Sequence, residues 1–120
     1  MELKEGMYVR TKNGMKIGKI VKIHKAVNHK SWYELKNGLR IYSYEEINEP
    51  SHNITDLIEV GDYVNGHKID RVDEPCKLNP YGSLKYHQNE DYDYDEILGN
   101  EIKSIVTKEQ FESVSYRLEN

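Results

Sequence analysis

An internal repeat constrains this chain more than any other feature. Gly6-Met7-Tyr8-Val9 is followed by Asn13-Gly14, and Gly61-Asp62-Tyr63-Val64 is followed by Asn65-Gly66. Further on, Ile41-Tyr42-Ser43-Tyr44-Glu45-Glu46-Ile47 lines up with Ile105-Val106-Thr107-Lys108-Glu109-Gln110-Phe111. Asn-Gly pairs tolerate positive φ and are the strongest short hairpin signal. A third, Asn37-Gly38, separates Trp32-Tyr33-Glu34-Leu35 from Leu39-Arg40-Ile41-Tyr42. Short strands, tight turns and the absence of a long apolar helical face predict an all-β chain. Its architecture is read as two tandem SH3-like or KOW-like barrel units with short helical turns.

The first unit spans 1–50, and 51–58 is a connector whose single turn carries Leu57 and Ile58 inward. The second unit spans 59–120 and is interrupted by a tyrosine-rich insertion over 73–96. Ser43-Tyr44-Glu45-Glu46 and Thr107-Lys108-Glu109-Gln110 both have capping-box form and predict helical turns. His67 to Val72 reads as one alternating strand, and Ser113 to Leu118 as a closing strand. Loops longer than about 15 residues in a compact domain usually carry function, so 73–96 draws attention first.

At 120 residues only a modest core can form, and ten of the twelve aromatic residues are tyrosines. Tyrosine suits half-wet sheet faces and binding surfaces. Cys76 is the only cysteine, which excludes an intramolecular disulfide and a cysteine-based zinc site. Met1 to Glu5 is charged without an apolar run, and no window reaches the length of a membrane span, so a cytoplasmic protein without a membrane partner is expected. No phosphate-binding Gly-rich loop, Ser nucleophile elbow or Cys/His pair is recognisable, so the expectation is a non-enzymatic binding protein without cofactor.

The run Ser51-His52-Asn53-Ile54-Thr55-Asp56-Leu57-Ile58-Glu59-Val60-Gly61-Asp62-Tyr63-Val64-Asn65-Gly66 resembles a small family of Firmicute phage and prophage proteins. Ile105-Val106-Thr107-Lys108-Glu109-Gln110-Phe111-Glu112-Ser113 is similar to the same family. The resemblance covers 51–72 and 97–117, is weak over 1–50 and is absent over 73–96. It implies a phage-borne accessory protein in the host bacterial cytosol, with a counter-defence role by association. It brings no shared chemistry, so no site residue is carried over.

Two surfaces compete for that role. Residues 1–50 carry ten Lys or Arg against six acids, and 51–120 carry seven against fifteen. From Arg10 to Lys30 the chain is basic, and Lys19, Lys22, His24, Lys25, His29 and Lys30, with Trp32 and Tyr33, could meet phosphates and stack on bases. The same lysines would equally serve as a solvated, edge-protecting face. In the second unit Asp91, Asp93 and Asp95 alternate with Tyr92 and Tyr94, and Tyr81 and Tyr86 lie upstream. That run reads either as a mimic of a phosphate backbone, aimed at a host defence protein such as a CRISPR nuclease, or as a solvated loop. A calcium loop is disfavoured because its sixth position is Glu96 and its twelfth Ile102, and the histidines lack metal-ligand spacing. The leading expectation is inhibition of a defence effector or sequestration of a nucleotide signal. The alternative is a nucleic-acid-binding module working through the basic face. Opposite charges on the two halves and open sheet edges favour a homodimer or higher oligomer.

Overall fold

The computed structural model describes residues 3–25, 31–87 and 94–114, and it is mainly β. Strands β1 (Tyr8–Arg10), β2 (Ile17–Lys25), β3 (Ser31–Leu35) and β4 (Arg40–Ile41) form one antiparallel sheet in that order. The sheet curls into a half-barrel. β2 pairs with β1 at its start and with β3 toward its end, and a register shift between Ile20 and Lys22 marks a bulge, which adds bend and twist. The outer edge of β1 is covered by residues 46–51. Lys12 N–H donates to Glu46 O at 2.9 Å, Asn48 N–H to Arg10 O at 2.8 Å and Tyr8 N–H to Ser51 O at 2.7 Å. Val9, Ile20, Leu35 and Ile41 fill the concave side.

In the C-terminal half, β5 (Tyr63–Val64), β6 (His67–Lys68) and β10 (Ile105–Val106) form one small sheet. β7 (Arg71–Asp73), β8 (Ser83–His87) and β9 (Tyr94–Leu98) form another. A 3-10 turn over Ile54–Leu57 turns Leu57 and then Ile58 into a core with Val64, Ile69, Leu84 and Ile97, as the sequence predicts. Ile17 of β2 belongs to the same core.

The repeat is visible in individual hydrogen bonds. Gly6 and Gly61 both have positive φ, at 91° and 98°. Gly6 N–H donates to Ile20 O, and Gly61 N–H to Ile69 O. Ile20 N–H returns to Met7 O, and Ile69 N–H to Asp62 O. Tyr8 lies opposite Lys19 as Tyr63 lies opposite Lys68. Met7 and Asp62 therefore hold equivalent places, and both are buried.

Asp62 is tolerated there because Arg10 meets it. Arg10 is 1% exposed and Asp62 0%. The guanidinium donates to Asp62 Oδ2 at 2.5 Å and Oδ1 at 3.1 Å, to Leu57 O at 3.0 Å and to Glu109 Oε2 at 3.0 Å. Asp62 also accepts from Glu59 N–H at 2.8 Å and Lys108 N–H at 2.9 Å. Burial opposes the charge on Arg10, but the Asp62 hydrogen bond and the carboxylates of Glu59 and Glu109 outweigh it and hold the group above its ordinary value. The two halves are thus joined through a buried ion pair. Helix α1 (Lys108–Val114) starts beside it, and its first turn also reaches the N-terminal half: Thr107 Oγ1 donates to Gly14 O at 2.6 Å and Gln110 Nε2 to Met15 O at 2.9 Å.

One local expectation holds and several change. The Thr107 capping box forms reciprocally, with Thr107 N–H to Gln110 Oε1 at 2.9 Å and Gln110 N–H to Thr107 Oγ1 at 3.0 Å. The Ser43 box does not open a helix. Glu46, which would close the box, lies instead where the chain pairs with β1, and Lys12 N–H donates to its carbonyl at 2.9 Å. His67 to Val72 is two strands rather than one, because Ile69 turns into the core and Asp70 N–H crosses to Lys85 O. Ser113 and Val114 are helical rather than the start of a strand, since α1 runs on from its cap. The 73–96 insertion is not simply a loop: it contributes all of β8 and most of β9. Asn65-Gly66 is the one Asn-Gly pair in which both residues have positive φ, 51° and 83°. That matches a two-residue hairpin loop, whereas the other two pairs sit in longer connections.

Candidate functional site

Residues directly opposed on paired strands share a sheet face. Across β2 and β3, Lys22 faces Glu34 and His24 faces Trp32, and across β3 and β4, Glu34 faces Arg40. These side chains occupy the convex side of the half-barrel, away from the Val9–Ile20–Leu35–Ile41 core. The alternation that turns Trp32 outward turns Tyr33 inward, where it packs on that core with Ile23. Tyr33 therefore leaves the expected binding face.

The outward rings form a row. His24 and Trp32 stack with centroids 3.7 Å apart and planes 4° from parallel. Tyr42 follows at 6.2 Å from Trp32, and Tyr44 at 5.9 Å from Tyr42 with planes 5° apart. Arg40 places its guanidinium carbon 5.1 Å from the Trp32 ring centroid, and Lys16 Nζ lies 5.6 Å from that of Tyr42. Each such cation contact at an exposed site contributes about 0.5–1 kcal/mol. His24 Nε2 lies 3.0 Å from Glu34 Oε1, which fixes the ring that Trp32 stacks on. The row opens to solvent at its far end, where Tyr44 is 80% exposed. Lys22 flanks it and makes no ion pair among the described residues.

Of the expected basic face, the structure gathers Lys22, His24 and Trp32, whereas Lys25, opposite Ser31, alternates to the side of Ile23 and Tyr33. Lys19 sits nearer β1, opposite Tyr8. Arg10, at the start of the basic stretch, is buried in the inter-half ion pair. His29 and Lys30 lie outside the described residues. Arg40, Tyr42 and Tyr44 complete the row and were not singled out from the sequence. The Asn37-Gly38 hairpin carried the signal, because its register sets Arg40 beside Glu34 and Tyr42 beyond Arg40 on the same face.

The tyrosine-rich segment is less gathered. Tyr86, an expected contact residue, is 8% exposed and stacks on His67 with centroids 4.0 Å apart, so it is core. Tyr81 is exposed in the turn before β8, and its carbonyl accepts from Thr55 Oγ1 at 2.9 Å. Tyr94 is exposed and tilts against His87, whose Nδ1 lies 2.8 Å from Asp70 Oδ2. Asp95 is exposed opposite Tyr86. Asp91, Tyr92 and Asp93 lie outside the described residues.

No protein-family model, curated protein or solved structure matches this chain. Among the described residues no group of three or more His, Cys, Asp or Glu is placed to hold a metal ion, and no helix is long and apolar enough to cross a membrane.

Proposed function

We propose that this chain is a non-enzymatic binding protein whose working surface is the outward face of β2, β3 and β4, and that it takes single-stranded nucleic acid. The observation that carries the reading is the ring row His24–Trp32–Tyr42–Tyr44 with Arg40 against Trp32. Bases stack on exposed aromatic rings without regard to sequence, and lysines beside the rings neutralise the strand's phosphates. Tyr44, at the open end, receives the first base, and Lys16, beside Tyr42, and Lys22 line the phosphate path. Lysine rather than arginine at those positions favours backbone attraction over base reading. Capture of single strands would serve the counter-defence role that the resemblance implies, by withholding a strand from a nuclease.

Trp32 is the chain's only tryptophan, so its fluorescence reports the face directly. Titration with a short oligothymidylate at low salt should quench it saturably. With Lys16, Lys22 and Arg40 as the three phosphate contacts, log K should fall with log salt at a slope of about −2. Tyr44→Ala should weaken binding by about 5-fold to 150-fold, the range of one base–aromatic stack. Absence of quenching at low salt, or unchanged affinity in Tyr44→Ala, would end this reading.

A further inference from the structure

The convex face of the half-barrel does more than carry the ring row. Its opposite end, at the start of β2, faces the C-terminal half across a cleft of about 530 Å³. Tyr8, Ile17, Ile54 and Ile105 give the cleft an apolar floor, with Ile102 beside them. Three lysines stand around it, and each comes from a different segment: Lys19 from β2, Lys36 from the β3–β4 turn and Lys103 from the approach to β10. None of the three makes an ion pair among the described residues, and no carboxylate lines the cleft. In a chain with more acids than bases, three lysines around one apolar depression make it locally positive, although Glu96 and Glu101 share the adjoining cavity with Lys103.

The wall holding Lys103 is fixed. Asn65 Oδ1 accepts from Lys103 N–H at 2.7 Å and from Ser104 N–H at 3.1 Å, and Asn65 Nδ2 donates to Glu101 O at 3.0 Å. Across the cleft, Asn37 Nδ2 donates to Ile17 O at 2.9 Å and holds the Lys36 turn against β2. Both lysine-bearing loops are therefore braced by an asparagine of an Asn-Gly turn. Ser104 lines the cleft as well.

We infer that this cleft is a binding site for a nucleoside phosphate, with its phosphates held by Lys19, Lys36 and Lys103 and its base lying on Tyr8 and the isoleucine floor. The volume falls within the range of small-molecule sites. Lysine binds phosphate as a point charge, and three lysines spread over separate loops suit a ligand carrying more than one negative charge. The apolar floor offers contact to an organic body that a bare anion cannot use. The site stands apart from the ring row, so it survives or fails independently of single-strand binding.

The test is an amide chemical-shift titration of the full chain with AMP, ADP, adenosine and inorganic phosphate, at fixed ionic strength. ADP should bind at least 10-fold more tightly than either inorganic phosphate or adenosine. Its shifts should centre on Tyr8, Ile17, Lys36 and Ile105. Lys36→Ala and Lys103→Ala, both at exposed positions that leave the core intact, should each weaken ADP by about 5-fold or more, and Lys77→Ala, outside the cleft, should leave it unchanged. Equal affinity for ADP and inorganic phosphate would overturn the inference, because charge alone would then explain binding. Shifts confined to Trp32, Tyr42 and Tyr44, equal losses in Lys77→Ala, or no binding of ADP at millimolar concentration would overturn it as well.

Discussion

Replacing Arg10 by methionine keeps most of the side-chain volume and removes the guanidinium that meets Asp62. Four hydrogen bonds go with it: two to Asp62, one to Leu57 O and one to Glu109. Asp62, at 0% exposure, keeps the backbone donors of Glu59 and Lys108 and the charge of the Lys108 side chain, but no charged hydrogen-bond partner among the described residues. Breaking a buried pair by removing one partner costs about 3–5 kcal/mol, a large share of the 5–15 kcal/mol that typically holds a domain together. At an m-value of about 2 kcal/mol/M in urea, the unfolding midpoint should fall by about 1.5–2.5 M. The reverse change, Asp62→Asn, should cost less. Arg10 would still have Glu109 at 3.0 Å and Glu59 at 3.6 Å, and the asparagine oxygen could still accept a backbone N–H. The measurement is urea unfolding of wild type, both single variants and the double variant, followed by circular dichroism. A loss below about 1 kcal/mol for Arg10→Met, or a larger loss for Asp62→Asn than for Arg10→Met, would refute the reasoning.

Further outcomes follow from other contacts. A methyl group on Gly99 would overlap the Tyr81 carbonyl, which is backbone and cannot swing aside, so Gly99→Ala should lower thermal stability by about 2 kcal/mol or more, read by calorimetry. Asn65→Gly keeps the positive φ but removes three hydrogen bonds to 101–104, so it should lose about 1–3 kcal/mol and also weaken nucleotide binding in the cleft. The His87 hydrogen bond holds Asp70 below its ordinary 3.8, and at Asp73 the contacts with Arg71 and Lys85 outweigh burial and lower it too. Both groups contribute stability above the ordinary carboxylate value and lose it as pH falls through their lower folded values. The urea midpoint should therefore hold from neutrality to about pH 5 and drop below about pH 4, less steeply in Asp70→Asn; a main loss between pH 6 and 7 would contradict this assignment. Cys76 is exposed and should react with a thiol reagent in the native state as fast as in a short peptide.

What could be read from the chain alone was what neighbours along it decide. Glycines that take positive φ, Asn-Gly turns, the reciprocal Thr107–Gln110 cap and the inward Leu57–Ile58 turn all rest on contacts within a few residues. Strand alternation belongs to the same class, and it made the mainly β, barrel-like organisation legible. The Ser43 box shows the limit, because its motif is as good as that at Thr107, yet β1 and Lys12 take the backbone from Glu46 onward.

The fate of each charge and ring was set by partners far along the chain. Arg10 looks like the first member of a basic surface, and it is buried because Asp62, 52 residues on, stands where the repeat places Met7. Trp32 faces out and Tyr33 in according to which side of the half-barrel closes over the core. Tyr86 went inward because β8 lines the second core, and Arg40 joined Trp32 only through the β3–β4 register. The cleft likewise has lysines from three separate segments. Turn geometry costs or gains free energy locally, so a short stretch of sequence determines it; desolvation depends on what arrives from elsewhere, so only the folded chain decides which charges are paired and which remain free to bind.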